Sequence, residues 1–329
     1  MLKRKLARFK WALTDFRSRI FRNQVPKHQG NAQHDLREYQ VYPKGGNLSR
    51  EFFTQPADRF PKIIDRTTPI TSIGSCFAVE IRQHLKDAKF NFINTQDSWS
   101  ESAEWGRVYT TKNLLQIFQY TFTEFLPNLR IVQSSRGFYD PYREGPFFKT
   151  EEAAEKELMK HHQDSRHALT ECKVLIVTPG QNEAWIDQTD GLAWVHRPPV
   201  ETRKEYGEDR FSIKQFTLEE NIEYLRASLD LLWANNPETK VIFTLSPVPS
   251  DATFHDTNVA VRSFENKAIL LLAVKEAVKA HPGRAFYYPS FEMTMLSQNV
   301  NLQLDNRHVR PNVVKEIMAT FDQRFVDSG

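Results

Sequence analysis

The chain has 329 residues, 44 Lys and Arg against 41 Asp and Glu, and a formal net charge of +3. With 40% hydrophobic and 26% charged residues it has the composition of a soluble globular protein, and 12 glycines exclude a collagen-like chain. No run approaches the ~18 apolar residues of a transmembrane helix. Its two cysteines, Cys76 and Cys172, make neither a disulfide framework nor a four-cysteine zinc site, and they fit a reducing compartment.

The small net charge conceals an asymmetry. Residues 1–28 carry nine Lys/Arg and one acid, Asp15, for a net of +8, which leaves a net of −5 on the rest of the chain. In this arm Leu2, Leu6, Phe9, Leu13, Phe16 and Ile20 recur at helical spacing, with Lys and Arg between them. The pattern predicts an N-terminal amphipathic helix that lies on an anionic membrane surface, docks a partner protein, or packs on its own domain. Charges run through the whole segment, unlike a secretory signal peptide, so the chain reads as cytoplasmic, with a peripheral position at the inner face of the membrane if the arm binds lipid. The acidic body argues against nucleic acid as a partner.

Residues 29–59 are rich in Gln, Asn, Gly and Pro and read as a linker. A domain is expected over 60–329. Pro69–Gly74 is a short β-rich run, followed by helical periodicity at Val79, Ile81 and Leu85. Lys112–Phe122 and 151–170 read as helices, the second capped by Thr150. Lys173–Thr178 is a continuous apolar strand of the kind buried on both faces. Thr217 and Glu220 form a capping box before a helix over 217–235, and Pro237 stops it. Val241–Leu245 is the next strand, 264–280 a helix, Ala285–Tyr288 a strand, and Pro311 opens a last helix to about residue 325. Strands alternating with helices imply a central parallel sheet covered on both faces.

In such a sheet ligands bind beyond the carboxyl ends of the strands. Four segments fall there: Gly74–Phe77, Pro179–Trp185, Ser246–Pro249 and Asp305–His308. A serine at a strand-to-helix junction places its hydroxyl beside helix N–H groups that stabilise an oxyanion. Ser75 stands there. It needs a base, for which His308 is the candidate, with Asp305 three residues earlier to hold the imidazole tautomer. Asn182 is a candidate side-chain donor to the oxyanion. Trp185, Trp105 and Ser246 are candidate walls of a substrate pocket. Cys76 is a rival nucleophile, since a helix N-terminus lowers a thiol pKa, whereas Cys172 reads as core. His161, His162 and Asp164 lie on a polar helix and read as surface. Metal-ligand spacing and nucleotide-binding glycine motifs are lacking, so no cofactor and no metal are expected.

Ile73-Gly74-Ser75-Cys76-Phe77-Ala78 resembles the signature for which the GSCFA family is named. The resemblance continues through Val177–Trp185, Leu245–Pro249, Ser263–Leu270 with Asn266-Lys267-Ala268, Tyr288–Glu292 and Asp305–His308, over about residues 60–325. That family is similar to the SGNH (GDSL-like) hydrolase superfamily. The resemblance implies a flavodoxin-like three-layer α/β/α sandwich with Ser75 as nucleophile and Asp305 and His308 completing a catalytic triad. It also implies an oxyanion hole from the Ser75 N–H, Gly106 and Asn182. The implied activity is that of a serine esterase or acyltransferase with ester or O-acetyl chemistry on a small-molecule, glycan or polysaccharide-related substrate. The other reading is a non-catalytic glycan- or protein-binding module with a vestigial site.

Overall fold

The computed structural model describes residues 37–42, 48–94, 105–124, 130–296 and 301–327. The amphipathic arm expected at 1–28 lies outside the described residues, and so does residue 104 before Trp105. The chain divides into two units, Met1–Lys44 and Gly45–Gly329. In the first, the described residues include one 3-10 turn, Glu38–Gln40. The second begins earlier than the expected boundary at residue 60. Arg50 is buried there, donates to the Met293 carbonyl and lies 3.4 Å from Glu316. The described residues from 48 onward group with the folded unit.

Along the chain, β1 (Ile70–Gly74) is buried at every position and runs directly into α1 (Cys76–Asp87). Thr110 caps α2 (Thr111–Phe122), its hydroxyl accepting from the Asn113 N–H. A small hairpin of β2 (Val132–Ser134) and β3 (Gly137–Tyr139) precedes α3 (Glu151–Glu171), which Thr150 caps as expected. Next come β4 (Val174–Thr178), β5 (Glu183–Asp187), β6 (Ala193–Trp194), α4 (Val200–Tyr206) and β7 (Phe211–Gln215). The Thr217–Glu220 capping box opens α5 (Leu218–Asn235). After β8 (Lys240–Phe243), α6 (Val259–Ala280) starts before residue 264 because the Asn258 side chain accepts from the Ala260 and Val261 N–H groups. The chain ends with β9 (Ala285–Tyr287), α7 (Ser290–Met295) and α8 (Pro311–Phe325).

The central sheet is parallel with order β1-β4-β8-β9. Alternation along each strand supplies two cores. Leu175, Val177, Val241 and Phe243 pack with Leu114, Leu225, Leu229 and Leu270 from α2, α5 and α6. Val174, Ile176 and Ile242 face the other way, onto Ile81, Leu85, Ile317 and Phe321 from α1 and α8. This is a three-layer α/β/α sandwich, and it explains why the strands read as unbroken apolar runs. Each fully buried large apolar side chain contributes about 1.5–3 kcal/mol. Among the described residues no helix is long and apolar enough to cross a membrane.

A second sheet, antiparallel with order β6-β5-β7, is missing from the sequence-based expectation. Its strands are short, and Glu183–Asp187 follows β4 after only four residues, so it reads as the continuation of a loop. This sheet carries Trp185 out beyond the carboxyl end of β4.

Gly74 makes the tightest backbone approach. Its φ is +149°, and a Cβ there would fall 2.2 Å from Thr178 Oγ1 and 2.6 Å from the Thr178 carbonyl. Gly74→Ala is expected to lose about 3 kcal/mol or more in urea unfolding. Thr217→Ala, which removes only a cap, is expected to lose about 1 kcal/mol. Equal losses would show that the Gly74 contact relaxes freely.

Candidate active site

Ser75 sits where β1 turns into α1, in extended backbone conformation at the N-cap. Serine at an N-cap normally accepts a hydrogen bond from the first turn. Here the side chain makes no such bond, and Oγ is buried with no hydrogen-bond partner. Ser75 is 2% exposed. Its N–H donates to the Thr178 carbonyl at 3.0 Å and to Thr178 Oγ1 at 3.1 Å, which pins it to the end of β4. Gly180 presses from the next loop. A Cβ at Gly180 would lie 3.0 Å from Ser75 Cβ and 3.3 Å from both Ser75 Oγ and Ser246 Cβ, so a larger residue there would push these neighbours back by a few tenths of an ångström.

His308 sits on a short hairpin closed by the Gln303 N–H to His308 carbonyl bond (2.7 Å) and a Leu302–Val309 bridge. Asn306 makes the turn with a φ of +59°. His308 Nδ1 lies 2.5 Å from Asp305 Oδ2, and Asp305 Oδ1 accepts from the Arg307 and His308 N–H groups at 3.0 Å each. The histidine first, then the two amides, hold the Asp305 carboxyl down at about 2. With Nδ1 engaged as the donor, Nε2 is the nitrogen left to accept a proton.

Ser75 and His308 line one cavity of about 370 Å³. All four expected segments contribute to it, including Gly180, Trp185 and Ser246. Ser75 Oγ and His308 are not hydrogen-bonded to each other. The Ser246 hydroxyl accepts from the Val248 N–H at 3.4 Å. Trp185 packs edge-to-face with Phe254 at 5.2 Å, Arg197 lies over both rings, and Trp185 Nε1 has no partner.

Three arginines line this space. Arg307 pairs with Asp251 at 2.8 Å and reaches the Pro249 carbonyl at 3.4 Å, tying the His308 hairpin to the loop after β8. Arg107 clasps Glu144 through Nε at 2.5 Å. Burial pushes the Glu144 carboxyl up, but Arg107 outweighs it and holds the group below the usual carboxylate range. Among the described residues Arg197 has no carboxylate partner. Burial raises the Tyr109 hydroxyl to about 12. Burial also raises the Cys76 thiol, against the pull of Lys267, Arg107 and Arg307. Cys76 is therefore a protonated, poor rival to Ser75.

Several of the expected residues lie outside the lining of this cavity. Asn182 is fully buried, its Nδ2 donates to the Phe216 carbonyl at 2.7 Å and its Oδ1 accepts from Asn221 at 2.7 Å, so it does not line the cavity. Gly106 is not a lining residue either. Its backbone, at a φ of +67°, packs on Glu144, where a Cβ would meet the carbonyl at 2.3 Å. Trp105 is a core residue whose Nε1 donates to Ser165 Oγ at 2.9 Å. The Ser75 N–H is already used by Thr178. That leaves the first-turn amides of Cys76 and Phe77, which no side chain caps. On α3, His161 is buried and His162 stacks on Tyr120, so neither is simple surface.

Sequence reasoning missed Arg107, Arg197, Arg307, Phe254 and Lys267. For Lys267 a signal was present, since it lies three residues before Leu270 on the apolar face of α6. Arg307 lies within the Asp305–His308 segment already singled out, and for Arg107, Arg197 and Phe254 position along the chain carries no mark. Among the described residues no group of three or more His, Cys, Asp and Glu side chains is placed to hold a metal ion.

The model of the GSCFA family matches residues 69–321. The chain belongs to the GSCFA family. The GSCFA match runs from the residue before β1 into α8 and takes in all four cavity segments. A search of the curated proteins finds no match. Among solved structures the chain is similar to an acetyl xylan esterase (Est2A) from the rumen bacterium Butyrivibrio proteoclasticus, at 12% identity and a TM-score of 0.32. That alignment covers 78% of this chain and 64% of the esterase, so the chain spans less than two thirds of that enzyme's length.

Because the native pKa of Asp305 is depressed, the pair with His308 steadies the hairpin above the ordinary carboxylate range, and this contribution is lost as pH falls through about 2. Carbon NMR of the Asp305 carboxyl is expected to give a midpoint near 2, rising part-way to normal in His308→Ala, where the two backbone donors remain. A midpoint unchanged by the substitution would remove the histidine from the pair.

Proposed function

We propose that this protein is a serine-dependent acyl hydrolase or acyltransferase acting on esters, with O-acyl groups of a carbohydrate as the substrate class. The observation that carries this reading is the non-capping Ser75 hydroxyl, buried without a partner in the same cavity as the Asp305-bound His308. In this mechanism His308 Nε2 closes on Ser75 Oγ and takes its proton as Oγ attacks the ester carbonyl. The tetrahedral oxyanion forms at the start of α1, where the Cys76 and Phe77 amides and the helix dipole stabilise it. Collapse expels the alcohol, which receives the proton from His308. Water or a second hydroxyl then releases the acyl group from Ser75, with His308 again acting as base.

The carbohydrate side of the proposal rests on the Trp185–Phe254 wall, with its unpartnered indole N–H and the Arg197 guanidinium. A flat aromatic face stacks on a sugar ring while the N–H and guanidinium meet its oxygens. One observation favours the alternative of a non-catalytic glycan-binding module: Ser75 Oγ is not hydrogen-bonded to His308 in this state.

Acyl-ester turnover and labelling by a fluorophosphonate separate the two. Wild type is expected to label and to turn over, and Ser75→Ala to lose labelling and about a thousandfold or more in kcat. Turnover that survives Ser75→Ala would sink the hydrolase reading, and a wild type inert to both reagents would favour the binding module. Trp185→Ala is expected to raise KM for a sugar ester about tenfold while leaving kcat for a small aryl ester nearly unchanged. An unchanged KM would place the sugar elsewhere.

A further inference from the structure

Lys267 is the charged group that the mechanism above does not use. It lies on the core face of α6, in register with Ser263, Leu270 and Val274, and is 3% exposed. Among the described residues it has no carboxylate partner. Its Nζ donates to the Gly180 carbonyl at 2.6 Å. Burial pulls the ammonium down to about 7, opposed by the nearby Cys76 thiol. An unpaired cation in a core is strongly unfavourable, and an apolar side chain of the same length fills such a position at less cost. Packing therefore does not account for a lysine here.

The contact it makes leads straight to the serine. The Gly180 and Gln181 N–H groups both donate to the Tyr109 carbonyl, at 2.9 and 3.1 Å. The Gly180 carbonyl is taken by Lys267. The peptide between residues 180 and 181 is thus held on both sides, and Gly180 is the residue pressed on Ser75 Cβ and Oγ. Lys267 is bonded to Gly180, and Gly180 lies beside Ser75 with less than the room of a methyl group between them.

We propose that Lys267 is a positioning residue for the reaction at Ser75: from the core side of the Pro179–Gln181 segment its amino group clamps the Gly180 carbonyl, which holds that segment beside the serine. The catalytic half of this inference rests on the hydrolase reading, whereas the clamp itself does not. A segment held in place beside the serine keeps the reacting hydroxyl positioned without reorganisation at the moment of reaction. The stability lost to the unpaired charge is the trade that functional sites make.

The test uses full-length wild type, K267M, K267Q and K267R. K267M removes charge and donor, K267Q keeps a donor, and K267R keeps both. K267M is expected to melt at or above the wild-type temperature, yet to label with fluorophosphonate about tenfold more slowly and to lose about tenfold in kcat for an aryl acetate, with KM within about twofold. K267R is expected to recover most of that loss and K267Q less. Independently of chemistry, hydrogen exchange at the Gly180 and Gln181 amides is expected to speed up about tenfold in K267M while the β4 amides do not change. Labelling and exchange within about twofold of wild type would overturn the proposal, as would a K267M that melts lower and loses activity only in proportion to its unfolded fraction. If wild type itself neither labels nor turns over ester, the hydrolase reading and the catalytic half fall together, and the exchange measurement alone decides the clamp.

Discussion

Two neighbouring parallel strands, β1 and β4, end so close together that no side chain fits between them. Gly74 packs on the Thr178 carbonyl, the Ser75 N–H is held by Thr178, and Gly180 presses on the Ser75 hydroxyl. This contact determines where α1 starts, removes the serine from its ordinary capping role and leaves its hydroxyl buried and unpaired. Everything else at the site is arranged around that approach. The β8 loop supplies Ser246 on the far side of Gly180, and the hairpin before α8 brings His308 to the cavity mouth.

Charge organises the rim differently from the floor. At the rim, two of the three guanidinium groups are matched with acids, Arg107 with Glu144 and Arg307 with Asp251, and the third, Arg197, lies on the Trp185 and Phe254 rings. The pairs connect segments distant in sequence and hold the loops in register, although exposed pairs of this kind contribute little to stability. On the floor, among the described residues, the Lys267 amine bonds to a backbone carbonyl and to no carboxylate. The contrast separates loops held by paired charges from a core that holds a lone amine against the segment beside the serine.

Much of this was legible beforehand because it follows from local rules. The parallel strands appear as unbroken apolar runs because both faces are buried, and α5 announces itself through Thr217 and Glu220 because a capping box is built from residues three apart. The four loops were legible for the same reason, as each directly follows a strand or precedes a helix. The β5–β7 sheet was not, since strands of two to five residues among turns leave no periodicity to read.

The sequence by itself determined the layer order of the strands and helices, the family, and which short segments carry Ser75, Asp305 and His308. Local pattern suffices for these, because strand burial, capping and a hydrogen bond across three residues depend on near neighbours. Only the tertiary structure decided what each donor is free to do. Asn182 looks like an available amide until its Nδ2 donates to Phe216 and its Oδ1 accepts from Asn221, Trp105 looks like a pocket wall until it closes on Ser165, and Lys267, part of a family motif, gains its contact with Gly180 only once its helix is packed. A polar group has few partners, and packing among residues far apart in the chain selects them.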